Sequence, residues 1–168
     1  MHFQLEQRFA APLVDVEAAL TNPHLLELVA AASSVGRPEL LELIDEGDIV
    51  RQKVRYAFTG HLSVAARAVV DPARLTWVDE SVHDRRTHRS EFVILPDHYP
   101  DRLQCHGTVT LAEVDGVTRR LTDADLRVTV RFLGGRVEQA IVSGLRQHAA
   151  TEEQVVQRWL DQHAADGA

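Results

Sequence analysis

His148 and Glu152 stand four residues apart near the C-terminus. That spacing puts both on one face of any helix that carries them, where an imidazole and a carboxylate can meet. A histidine so placed could donate a hydrogen bond to a bound molecule, or work as an acid or base. The plainer reading, favoured here, is a half-exposed histidine bonded to a strand carbonyl. With Tyr56 it makes the best acid–base pair on offer. Cys105 is the single cysteine. A nucleophilic thiol needs a lowered pKa and a partner base. His106 follows it directly, but neighbours on a strand point to opposite faces, so Cys105 reads as a small core residue.

Nine histidines, among them His83, His88, His98 and His106, raise the question of zinc. A zinc site needs three or four ligands converging at about 2 Å. No Cys-x-x-Cys or His-Glu-x-x-His spacing occurs. His88 and His106 could face one another across neighbouring strands, yet nothing requires it. No metal and no cofactor are expected. Asp79, Glu80, Asp84, Arg85, Arg86, Arg89 and Glu91 form a mixed-charge stretch. They could make a polar patch at one end of a cavity. The preferred reading is the solvated face of a sheet, with cross-strand pairs contributing about 0–1 kcal/mol each.

The elements that must carry these groups are legible from periodicity. The chain has 168 residues, enough for one domain with its own core. A hydrophobic fraction of 45% rules out a disordered chain. The net charge of −7, with Lys53 the only lysine, argues against phosphate-backbone binding, so nucleic acid is not an expected partner. A lone cysteine implies no disulfide and no oxidising compartment. No run approaches the roughly 20 apolar residues of a membrane span, and residues 1–8 lack a signal-peptide pattern. A cytoplasmic protein without integral membrane association is expected.

Residues 3–9 alternate as a strand with one buried face. Helical spacing follows over 13–20, and Asn22-Pro23 caps a second short helix. Strands are expected over 40–46 and 49–58, with a hairpin turn at Glu46-Gly47-Asp48. Val50, Val54, Tyr56 and Phe58 share the core-facing parity of the second. Residues 60–70 are ambiguous between helix and strand. Further strands are expected over 75–82, 85–95 and 103–111. Asp115-Gly116 is a hairpin signal leading into residues 117–133. There the apolar parity shifts between Leu121 and Leu126, which predicts a bulge or break near Thr122–Asp125. A helix of about 25 residues follows Gly134-Gly135. Val137, Ile141, Leu145, His148, Val155, Val156, Trp159 and Leu160 form its stripe. Gly144 within it predicts close packing against another backbone.

The fold class is therefore α+β: an antiparallel sheet of about six to seven strands, two short helices after the first strand, and a long C-terminal helix covering the apolar face. The domain is read as residues 1–163, with 164–168 as a disordered tail. This plan resembles the START-like superfamily (SRPBCC), the polyketide-cyclase or birch-pollen-allergen fold. More narrowly, it resembles an uncharacterised family of START-like proteins common in actinobacteria. The resemblance covers nearly the whole chain. It is carried by the strand 3–9, by residues 13–20 with Thr21-Asn22-Pro23, and by the Trp77 strand. It rests further on Phe132-Leu133-Gly134-Gly135-Arg136-Val137-Glu138 leading into a helix that ends near Arg158-Trp159-Leu160. The resemblance implies a curved sheet gripping the helix, and a cavity between them that takes lipids, sterols, polyketides or hormones. A shortened 60–70 segment would narrow or open the cavity mouth.

The expected function is binding of a small apolar or lipid-like molecule in that cavity, as carrier or sensor. The expected lining is Val54, Tyr56, Phe58, Trp77, Phe92, Val109, Val128, Val130 and Phe132 from the sheet, with Ile141, Leu145 and His148 from the helix. A filled core with the same periodicity would instead suit a protein-interaction module, docking near residues 13–29. A cyclase-like enzyme on an aromatic or polyketide-type substrate is the third reading. No motif names a reaction, and the balance lies against catalysis. A homodimer is compatible with all three.

Overall fold

The computed structural model describes residues 1–33, 35–59, 71–130 and 134–166. Strand β1 (His2–Phe9) buries Phe3, Gln7 and Phe9 and turns its even-numbered residues outward. Pro12 then caps α1 (Leu13–Leu20). The Asn22 side chain accepts from the His24 N–H at 2.9 Å, and Pro23 opens α2 (Pro23–Ala31), a position where its missing N–H costs nothing. The strands β2 (Glu39–Asp45), β3 (Ile49–Ala57), β4 (Thr76–Asp84), β5 (Arg89–Pro96), β6 (Leu103–Val114) and β7 (Val117–Val128) follow. A long helix, α3 (Gly134–Asp166), ends the described chain.

All strands pair antiparallel in one curved sheet of order β1-β7-β6-β5-β4-β3-β2. Asp115 and Gly116 both take positive φ, 53° and 75°, at the tight β6–β7 turn. Such a two-residue turn matches the twist of the strands it joins. Helix α3 lies against β1 and β7 inside the curve, with α1 and α2 beside it. Two apolar clusters hold this arrangement. Phe9, Val16, Ala19, Leu25, Leu111, Val156 and Leu160 join the short helices to the C-terminal half of α3. Phe3, Cys105, Ala124, Leu126, Val128 and Val142 join its N-terminal half to the sheet. The architecture is the helix-grip α+β fold.

Several expectations need correction. Strand β5 starts at Arg89, not at residue 85, because the Asp84 carboxylate accepts from the Arg86 N–H at 2.9 Å and turns the chain. No bulge interrupts β7: its register runs unshifted against β1 and β6. The parity break arises because Thr118, Arg120 and Thr122 face inward, where alternation predicts apolar residues. Gly144 packs against no neighbouring element among the described residues, since a Cβ there would meet none of their atoms within 4 Å beyond its own stretch of helix. His88 and His106 do not meet, because His88 sits in the β4–β5 turn while His106 pairs with Val93. Helix α3 spans 33 residues, longer than the roughly 25 expected from sequence, and continues to Asp166. The expectations for residues 60–70 and for Phe132 lie outside the described residues.

Candidate functional site

Register decides which side chains share the concave face, because directly paired residues point the same way. One row across the sheet is Val54, Asp79, Ile94, Cys105 and Leu126. The next is Gln52, Ser81, Phe92, Gly107 and Ala124. A third holds Val50, His83, Ser90, Val109 and Thr122. Tyr56 and Trp77 pair at the β3–β4 end and stack, with ring centroids 5.9 Å apart and planes at 27°.

The two sides of this face differ. On β1 and β7, beneath α3, the inward residues Phe3, Ala124, Leu126 and Val128 are buried. On β3 to β5, Gln52, Tyr56, Trp77, Asp79, Ser81, Phe92 and Ile94 are half-buried. Gly107 sits between the two sides. A Cβ there would come within 2.6 Å of the Ala124 Cβ, so the tight curve of β6 against β7 requires glycine.

The residues expected to line a cavity fall into three groups. Val54, Tyr56, Trp77, Phe92, Val109 and Val128 share the concave face by register, Val54 and Val128 buried and the rest half-buried. Val130, Ile141 and Leu145 pack together against the second apolar cluster. Phe58 follows β3 in an isolated bridge to Val35. His148 is half-buried on α3 and its Nδ1 is shielded, without a hydrogen-bond partner among the described residues.

Sequence reasoning misses the polar members of this face. It assigns Asp79 to the solvated side, but Asp79 is an inward residue that shares the parity of Trp77. Burial, opposed by Arg120 and reinforced by the Glu152 charge, pushes its carboxyl up to about 6. Burial also raises the Tyr56 phenol, with the Asp79 and Glu152 charges adding to the effect. On the opposite wall Arg120 Nη1 donates to Glu152 Oε2 at 2.7 Å and to Gln7 Oε1 at 3.0 Å. The Gln7 amide donates to the same Glu152 oxygen at 3.0 Å and to the Ala149 carbonyl at 2.8 Å. Burial alone would raise the Glu152 carboxyl, but the Arg120 and His148 charges and these hydrogen bonds hold it below the usual carboxylate range. Glu152 is thus an anion, and Asp79 changes charge near mildly acidic pH.

A second polar group closes one end of the face. The buried Glu17 of α1 takes hydrogen bonds on one oxygen from His83 Nε2 at 2.9 Å and His88 Nδ1 at 2.8 Å. Ser90 Oγ completes the chain on His83 Nδ1 at 2.8 Å. With neutral imidazoles every member is satisfied: each histidine donates to Glu17, and Ser90 donates to His83. This group pins α1 to the β4–β5 hairpin. Among the described residues no cluster of three or more histidine, cysteine, aspartate or glutamate side chains is arranged to hold a metal ion. Cys105 is buried and its thiol is pushed up to about 11, chiefly by burial, so it stays protonated as a core residue.

Elsewhere, two open grooves of about 380 and 520 Å³ follow the seam of β1 and α3. Their walls are mostly charged and amide side chains such as Glu6, Arg146, Glu153 and Gln154, and they hold none of the convergent groups above. The outer side of α1 and α2 exposes Val14 and Leu28, while Val16, Ala19, Leu25 and Val29 are buried. No described helix is long and apolar enough to cross a membrane.

Known structures share this fold. TTHA0849 from Thermus thermophilus superposes with a TM-score of 0.70 at 15% identity, covering 97% of this chain and 99% of that one. The ZhuI aromatase/cyclase from Streptomyces sp. R1128 superposes with a TM-score of 0.69 at 14% identity, over 98% and 95% of the two chains. Ara h 8.0201 gives a TM-score of 0.58 at 15% identity, over 93% and 97%. At such identities the likeness establishes the START-like fold alone. No curated protein sequence matches the chain. The sequence profile described as "Protein of unknown function (DUF2505)" matches residues 4–160, and the chain belongs to that family.

Proposed function

We propose that the protein binds a small, largely apolar molecule between the concave face of β3–β5 and helix α3, as a carrier or sensor. The observation that carries this is the state of the inward aromatic residues. Tyr56, Trp77 and Phe92 face the inside of the sheet yet remain half-buried. Large aromatic side chains on the inner side of a sheet are ordinarily buried by their own fold. Left partly uncovered and joined by Val109 and Ile94, they offer the apolar wall that a ligand would cover. The solved relatives include an aromatase/cyclase, and a shared fold makes a ligand site in the same place a reasonable analogy.

The test is native mass spectrometry of protein purified from its own host, with extraction of whatever is bound. A reproducible small-molecule adduct that Phe92→Ala and Trp77→Ala weaken supports the reading. An adduct indifferent to both substitutions contradicts it.

A second reading is favoured by the convergence of Asp79, Tyr56, His148 and Glu152 on the same interior. Groups whose environments push their pKa values apart are the raw material of acid–base catalysis. In this reading the bound molecule is a substrate and Asp79 exchanges a proton with it. Returning the extracted molecule to apo protein and following it by mass spectrometry decides the matter. Conversion that Asp79→Asn abolishes supports an enzyme, and an unchanged molecule supports a carrier.

A further inference from the structure

We infer that the free edge of strand β1 is a docking site for an extended, acidic segment of another protein, which adds a strand to the sheet beside Gln4–Glu6. The site lies at the outer seam of β1 and α3, apart from the concave face. The sheet has two edge strands, and β1 is one of them. Met1 exchanges both backbone hydrogen bonds with Leu126. Odd-numbered residues of β1 therefore turn their N–H and C=O groups towards β7, and even-numbered residues turn theirs outward. Helix α3 caps part of this outward row. The Arg8 N–H donates to Glu153 Oε2 at 3.1 Å, and the Ala10 N–H donates to Gln157 Oε1 at 2.8 Å. The backbone groups of Gln4 and Glu6 have no such partner among the described residues. Natural sheets cap, charge or bulge their edges to keep other strands away. Here half of the edge is capped and half is open.

The open half has room beside it. The groove of about 380 Å³ runs between Gln4, Leu5 and Glu6 on the strand and Arg146, Ala149 and Ala150 on the helix. The groove of about 520 Å³ shares Glu153 and Gln154 with it, so the two form one trough along the seam. Strand addition draws its affinity from main-chain hydrogen bonds and its selectivity from alternate side chains. The N–H and C=O groups of Gln4 and Glu6 supply the first. Side chains of the added strand that turn towards α3 meet Leu5, Ala149 and Ala150, which suits branched apolar residues.

Charge selects the occupant. The ionisable walls of the trough are Arg8, Arg146 and Arg158 against Glu6 and Glu153. Glu6 is already held by Arg8 at 2.8 Å and by Arg119 at 2.7 Å. Arg146 and Arg158 are exposed and make no ion pair among the described residues. On a chain of net charge −7 the trough is thus a local cationic strip. Its two free arginines stand about 18 Å apart along α3, the reach of roughly five or six residues of extended chain. An acidic side chain towards each end of the added strand meets one arginine. A second copy fits poorly, because pairing β1 with β1 sets the arginines of one trough against those of the other.

The experiment titrates the ¹⁵N-labelled full chain with two blocked peptides of alternating valine and threonine, one with aspartate at both ends and one with lysine at both ends. Backbone amide shifts report affinity and place together. The aspartate peptide should give saturable shifts at Gln4 and Glu6, and the lysine peptide should bind at least about tenfold more weakly. Arg146→Glu combined with Arg158→Glu, both at exposed helix positions, should reverse that order. Gln4→Pro should weaken the aspartate peptide by at least about tenfold, because proline removes an outward N–H without costing a ladder bond to β7. Each variant is first verified as folded from its spectrum. Peptides that bind equally well, shifts that spare Gln4 and Glu6, or no shift at millimolar peptide would overturn the inference. So would movement of those two signals when the protein alone is diluted, which makes a second copy the occupant.

Discussion

Arg120 Nη1 lies 2.7 Å from Glu152 Oε2 and ties strand β7 to the middle of helix α3. Both side chains are about one-fifth exposed, and Gln7 bonds to each of them. The pair therefore fixes the helix over the sheet through charges partly removed from water. Removing one partner of such a pair leaves the other uncompensated, at about 3–5 kcal/mol. Arg120→Met should destabilise the protein by that amount. Arg120→Met combined with Glu152→Leu should recover most of the loss, because the orphaned carboxylate is gone. Urea unfolding of the two variants at neutral pH checks both values.

Asp79 makes a signed prediction with pH. Its carboxyl is raised from 3.8 to about 6 in the folded protein, chiefly by burial. The protonated form is the one the fold prefers. Its contribution is fully present below pH 3.8 and is lost as pH rises towards 6; above that the native state carries the whole cost of the buried charge. About two pKa units correspond to roughly 3 kcal/mol. Asp79→Asn should therefore be more stable than the parent at about pH 7.5 by up to about 3 kcal/mol. That advantage should fade on acidification through about pH 6 and vanish near about pH 4. Paired denaturation curves at the two pH extremes give the difference directly.

Two glycines should respond to substitution in opposite directions. Gly144 lies in helix α3, and among the described residues no other element comes near its missing Cβ. Gly144→Ala should raise stability by about 0.5–1 kcal/mol, the ordinary helix-interior difference. Gly107 faces the Ala124 Cβ and the Asp123 carbonyl at distances no Cβ tolerates. Gly107→Val should destabilise by several kcal/mol, on the order of other severe overpacking. Thermal melts of the two single variants separate these outcomes.

The elements are legible in the sequence because their signals are local. Alternation over residues 3–9, the Asn22-Pro23 cap and the Asp115-Gly116 turn each depend on neighbours within a few residues. The long helix and its apolar stripe are equally plain. The polar half of the candidate site is not legible, for a definite reason. Hydrophobic periodicity finds a concave face by assuming that the face is apolar. Asp79, Arg120 and Thr122 face inward and break that assumption. Periodicity therefore reads Asp79 as a solvent-side residue, and the inward run of β7 as a bulge. The contradiction is visible in the sequence, since Asp79 shares the parity of Trp77 and Arg120 that of Leu126. Only the register across four strands shows that these residues look into the same space. The bond from Glu17 to His83 and His88 is beyond sequence reasoning altogether, because it joins α1 to a strand and turn 66 and 71 residues away.

The most direct test of the central claim uses the two tryptophans as built-in reporters. Trp77 lies on the concave face beside Tyr56, whereas Trp159 stacks on His163 near the end of α3 with ring centroids 3.8 Å apart. Their indole N–H resonances are recorded while ¹⁵N-labelled protein is titrated with 2,6-dihydroxynaphthalene. The account predicts a saturable shift of the Trp77 signal while the Trp159 signal stays in place. A Trp77 signal that does not move up to the solubility of the probe, or a response confined to Trp159, would contradict it.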